Sequence, residues 1–112
     1  MPADSPAVVL RHAAHHIRQL AAKATPGPWT LWDRGVGWEI NELPDTHDGT
    51  TFREPDARWI AAMGPQLAEP LAAWLDDVAR LWNHGSISRR TVDHAVTIAR
   101  AVLATAPTQE KP

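Results

Sequence analysis

Cysteine is absent from this 112-residue chain, which excludes disulfide staples, thiolate metal sites and a cysteine nucleophile. Charge of one sign is not in excess either. A formal net charge of -2 and a pI near 6.3 leave no basic face for a nucleic-acid backbone, so nucleic acid is disfavoured as a partner. No apolar run approaches the roughly 20 residues that span a bilayer. The start MPADSPAVVLRH lacks the basic, then long apolar pattern of a secretory signal, and the expectation is cytoplasmic residence without membrane contact. The sequence also has no HExxH, no GxSxG and no phosphate-binding P-loop, and no internal repeat.

What the chain does contain is the balance of a folded domain, 44% hydrophobic and 21% charged residues, with ten prolines and six tryptophans as outliers. The length predicts one globular domain over residues 1–105 and a fraying, flexible tail over 106–112. Ser5 as N-cap and Pro6 as first helical residue announce a helix over 6–24, with Leu10, Ala13, Ile17, Leu20 and Ala24 as its apolar stripe. Pro26-Gly27-Pro28 ends it. Alternation then predicts strands at about 29–33 and 37–41 around the turn Arg34-Gly35-Val36-Gly37, and a third strand at 50–53. Residues 43–50 read as loop.

Pro55 and Asp56 open a short helix, about 55–63, whose apolar side carries Trp59, Ile60 and Met63. Leu67, Leu71, Trp74, Leu75, Val78 and Trp82 recur at helical spacing over 66–83, where Pro70 either starts the helix or kinks it. Ile87, Ser88 and Val92 have the hydrophobic-staple pattern and begin a last helix over 88–105, with Val92, Ala95, Val96, Ala99, Val102 and Leu103 inward. The expected fold is α+β: four helices, one short, packed around a two- or three-stranded antiparallel β-meander.

Two strings carry a resemblance. Ala24-Thr25-Pro26-Gly27-Pro28-Trp29 and, after a strand-rich middle, Asp56-Ala57-Arg58-Trp59-Ile60-Ala61-Ala62 with a proline before a leucine-rich helix resemble the Ead-like early and accessory proteins of phages and prophages, of the actinobacterial type. The likeness covers about residues 10–82. It implies a helix, a small meander sheet and further helices, in an accessory protein acting on a bacterial host from its cytoplasm, and it implies no reaction. The chain departs from the commoner pattern at Trp59, where Phe or another apolar residue is usual, and at Pro70.

Candidate binding residues cluster in the middle of the chain. Alternation puts Trp29, Leu31 and Asp33 on one sheet face and Trp32 on the other, so both tryptophans cannot enter one core. Trp32 is the expected exposed one, and beside Arg34 and Trp38 it makes a hot spot for a host protein or a second copy. Trp29 on its rigid turn reads as a strand anchor. As an alternative, Trp29 or Trp38 stacks a nucleobase, at about 1–3 kcal/mol, while Arg34, Arg53 or Arg58 meets the phosphate; the protein would then be an anti-defence sponge for a nucleotide.

Other features read as structural. His12 and His16 at i, i+4 have metal-ligand spacing without a third ligand, so no metal or cofactor is expected. Asp45, Asp48 and Glu54 around Gly49 miss the spacing of a calcium loop. Arg89 and Arg90 oppose the dipole of the last helix, but Asp93 can pair with either. Adjacent Asp76 and Asp77 point apart on a helix. The expected function is non-enzymatic binding through host-protein contact or self-association, with transcriptional regulation third because no recognition helix is evident.

Overall fold

The structure, a computed structural model, describes residues 5–35, 37–40, 42–43 and 52–105. In chain order these form α1 (Pro6–Lys23), β1 (Leu31–Asp33), β2 (Trp38–Ile40), α2 (Glu54–Ala62), a 3-10 turn (Pro65–Leu67), α3 (Ala68–Asn83) and α4 (Arg89–Leu103). The fold is α+β, with helices and one two-stranded antiparallel sheet. None of the described helices is long and apolar enough to cross a membrane. The chain groups into two compact units, Met1–Leu20 with Glu69–Pro112, and Ala21–Ala68. The expected loop over 44–50 and the tail over 106–112 lie outside the described residues.

The helical unit is built by local rules that the sequence announces. Ser5 Oγ accepts the Val8 N–H at 3.3 Å and Ser88 Oγ accepts the Thr91 N–H at 3.2 Å, so each serine satisfies a donor that the first helical turn leaves unpaired. α3 begins before Pro70, and the helix runs on through it to Asn83. The proline is the third residue of a helix that starts at Ala68, and first-turn residues have no intrahelical acceptor for an N–H in any case. The core of this unit holds Leu10, Ala13, Ala14 and Ile17 of α1, Ala72, Leu75, Val78 and Ala79 of α3, and Val92, Ala95 and Ala99 of α4.

Of the expected stripes, Ala24, Leu71, Trp82, Val96, Val102 and Leu103 are half-buried, and three residues are exposed. Leu20 and Trp74 are exposed, as is Leu67 of the 3-10 turn, which belongs to the other unit. In α3 the reason is visible: Ala72 and Ala79 complete the buried arc and move its centre away from Trp74. Small residues let helix backbones approach, whereas a stripe drawn through large residues alone is off-centre. Arg18 ties α1 to α3 by donating its Nε and Nη2 to the Glu69 carboxylate at 3.0 and 2.9 Å and its Nη1 to Asp76 at 2.8 Å. The guanidinium holds the Glu69 carboxyl below the usual carboxylate range.

In the other unit, β1 and β2 pair with Leu31 opposite Ile40, Trp32 opposite Glu39 and Asp33 opposite Trp38. The expected third strand at 50–53 is reduced, among the described residues, to one bridge: Trp38 and Phe52 exchange N–H···O bonds of 3.0 and 2.8 Å. Arg53 is already extended backbone leading into α2, and its carbonyl accepts the Ala57 N–H. Residues 50 and 51 lie outside the described set.

Candidate functional site

β1 starts two residues later than the alternation predicts, and the cause is local bonding. The Gly27–Pro28 peptide is cis, and the Trp29 indole N–H is donated to the Thr25 carbonyl at 3.0 Å. Thr30 N–H goes to the Glu42 carboxylate at 2.6 Å, and its hydroxyl to the other oxygen at 2.8 Å. The Trp29 side chain and the Thr30 amide and hydroxyl are therefore engaged outside the ladder. Trp29 is half-buried, bonded across the turn that carries it. A Cβ on Gly27 would lie 3.3 Å from Pro65 Cδ and from Gln66 Oε1, so the proline-rich corner sits against the 3-10 turn. Gln66 Nε2 in turn donates to the Ala61 and Ala62 carbonyls at the end of α2. The ATPGPW and DARWIAA segments thus meet in one unit.

Bonding from Thr30 holds the Glu42 carboxyl below its ordinary range, the backbone N–H acting first and the hydroxyl second. A carboxyl depressed in the folded state stabilises that state at pH above its unfolded value, and the contribution is lost as pH falls through the depressed value. The Thr30 amide resonance should therefore titrate with a midpoint below the glutamate value of about 4.3, and Glu42→Gln should remove that titration. A midpoint at or above the ordinary value would contradict the bond.

The hairpin turns through Gly35, whose φ of 85° is the left-handed conformation that glycine adopts without strain. Arg34 N–H reaches the Gly37 carbonyl at 2.8 Å, and Asp33 Oδ1 accepts the Gly35 N–H at 2.9 Å. Directly opposed residues share a sheet face. Leu31, Asp33, Trp38 and Ile40 consequently occupy one face, Trp32 and Glu39 the other. Ile40 is buried, and Arg58 of α2 lies over the Trp38 ring with its guanidinium carbon 5.4 Å from the centroid, so α2 covers this first face.

The six expected site residues are divided by this geometry. Trp32 is 50% exposed on the outer face, with the Arg34 guanidinium carbon 4.6 Å from its ring centroid. Arg34 also approaches Glu39 at 3.6 Å, which makes Trp32, Arg34 and Glu39 one cluster. Trp38 does not join them, because it is half-buried on the opposite face under Arg58, itself held by Glu54 at 2.7 Å. Arg53 is exposed at the entrance of α2. Glu54, expected to border an acidic loop, instead begins α2 and binds Arg58; Asp45, Thr46, His47, Asp48 and Gly49 lie outside the described residues.

Sequence reasoning assigned the wrong side of α2 to the core. Trp59 is 66% exposed and Met63 52% exposed, whereas Ala57, Ala61 and Gly64 are buried and Ile60 is intermediate. At 100° per residue, Trp59 points about 180° from the middle of the Ala57 and Ala61 face. The signal was present: Ala57, Ala61 and Gly64 recur at four- and three-residue spacing, as a close-packed small-residue face should.

Elsewhere the expected structural readings are concrete. Arg89 binds Asp93 at 2.9 Å and lies 5.4 Å from the Trp82 centroid. His16 is half-buried with its Nε2 unbonded. Among the described residues no three His, Asp or Glu converge as metal ligands. Comparison with known proteins found no matching family model, no matching curated protein and no matching solved structure.

Proposed function

We propose that the chain is a non-enzymatic accessory protein, of the kind carried by phages and mobile elements, that acts by protein contact through the outer face of its hairpin. The phage setting rests on the ATPGPW and DARWIAA strings. The binding reading rests on one observation: a half-exposed tryptophan held in place by a stacked arginine, which is itself braced by a carboxylate. Tryptophan and arginine are enriched at the hot spots of protein interfaces, tryptophan for its large contact area with few free torsions and arginine for its planar, many-donor guanidinium. Trp32 is presented with its neighbours already ordered, which lowers the entropy lost on binding.

The nucleotide reading has less support. Of its two stacking rings, Trp38 is occupied by Arg58, and the Trp29 indole N–H is used within its own turn. Host-protein contact is tested by co-purification of the tagged chain from a bacterial lysate, with the bound protein identified. The double variant Trp32→Ala, Arg34→Ala should lose it, while Trp74→Ala, at an exposed tryptophan of the other unit, should keep it. Retention by the double variant with an unchanged circular dichroism spectrum would overturn the reading.

A further inference from the structure

Backbone alternation decides which edge of the hairpin is open. Trp38 gives both its N–H and its C=O to Phe52, on the side of β2 away from β1. Asp33 opposite Trp38 is therefore a non-hydrogen-bonded pair, Trp32 opposite Glu39 a hydrogen-bonded one, and Leu31 opposite Ile40 again non-hydrogen-bonded. The Arg34 to Gly37 bond at the turn fits the same phase. It follows that the N–H and C=O groups of Leu31 and Asp33 point out of the sheet at the free edge of β1. None of these groups has a partner among the described residues, and Trp32 and Asp33 are exposed there.

We propose that this edge pairs with the same edge of a second copy, in antiparallel fashion about a two-fold axis at Trp32. The inference rests on the binding reading above and names the partner. Its register is fixed by the geometry. Two-fold pairing through Trp32 sets Leu31 opposite the second copy's Asp33 and the converse, and these are the residues whose free backbone groups can make four new N–H···O bonds. Trp32 then faces its own symmetry mate in a non-hydrogen-bonded pair, where opposed Cα atoms come closest, at about 4.5 Å. The two indoles lie on the same outer face and stack against each other, the type of cross-strand aromatic pair that stabilises antiparallel sheets. A slip by one residue would set Leu31 and Asp33 opposite residues whose own N–H and C=O groups point back into their hairpin, whereas the two-fold arrangement is self-complementary. The result is a four-stranded sheet in the order β2, β1, β1, β2, which removes an open edge and an exposed tryptophan together.

Sedimentation of the wild-type chain from the micromolar to the millimolar range should show a monomer–dimer equilibrium. Trp32→Lys, which sets two like charges across the axis, should raise the dimer dissociation constant at least about 30-fold, the size of an interface hot spot. The Trp38 amide, bonded to Phe52, should keep its hydrogen-exchange protection and so report that the hairpin is intact. The absence of native cysteine permits a register test. Under oxidation at millimolar protein, Trp32→Cys should cross-link into a dimer, since opposed non-hydrogen-bonded positions meet disulfide geometry, and Asp33→Cys should not. A wild-type chain that stays monomeric throughout, a Trp32→Lys dimer of unchanged affinity, or equal cross-linking at both positions overturns the pairing. Each of these leaves host-protein contact standing, because that reading is measured separately by co-purification with the Trp32→Ala, Arg34→Ala variant.

Discussion

Leu75→Ala should lower the stability of the helical unit by about 2–5 kcal/mol, whereas Leu20→Ala should change it by less than about 1 kcal/mol. Both leucines lie on the apolar stripes that the sequence marks, and both substitutions delete the same atoms. They differ in surroundings. Leu75 is fully buried in a core that also holds several alanines, while Leu20 is 48% exposed. Removing the Leu75 side chain forfeits its transfer free energy and leaves a cavity in a closely packed interior. Urea unfolding followed by circular dichroism measures both. The midpoint should fall sharply for Leu75→Ala with little change in slope, and equal losses for the two variants would mean that the buried arc is misplaced.

That contrast also shows what the amino-acid pattern made legible. Helix starts were readable because each depends on a few adjacent residues: Ser5 with Pro6, and Ser88 before Arg89, behave as short-range capping rules require. The hairpin was readable because Gly35 supplies a turn conformation and alternation separates Trp32 from Leu31 and Asp33. Strand ends were not, since Thr30 leaves the ladder for a carboxylate twelve residues later, a long-range bond without a local signal. The faces of α2 and α3 were misassigned for a single reason. Hydrophobicity weighted by size drew attention to Trp59, Met63 and Trp74, while the close-packed sides are lined by Ala57 and Ala61, and by Ala72 and Ala79. Of the candidate site, the Trp32 and Arg34 half was legible by alternation. Trp38 was grouped with them because nothing in the sequence states that Arg58 closes over its ring.

The sharpest consequence concerns Ile40 and Trp59. Ile40→Ala should destabilise the unit of Ala21–Ala68 by about 2–4 kcal/mol, and Trp59→Ala, which deletes far more apolar surface, by less than about 1 kcal/mol. Ile40 is 1% exposed, on the inner face of β2 opposite Leu31, in a sheet that, among the described residues, two short strands and one bridge compose. Such a sheet is marginal alone and depends on the few large side chains it buries. Among the described residues of this unit Ile40 is the largest fully buried one, the others there being alanine and glycine. Trp59 points away from the buried face of α2, so its loss removes contacts chiefly with water. Hydrogen exchange at the Trp38 amide separates the two substitutions without assuming that the whole chain unfolds together, because this amide is bonded to Phe52 inside the unit. Protection should drop by roughly 30-fold or more in Ile40→Ala, the equivalent of about 2 kcal/mol, and stay near the wild-type value in Trp59→Ala. Comparable loss in both would return Trp59 to the core and restore the outward-facing residues of α2 to a packing role. A neutral Trp59→Ala would instead leave a large apolar side chain on the surface with no stabilising work to perform, which is the condition under which an exposed tryptophan is an asset only if something binds it.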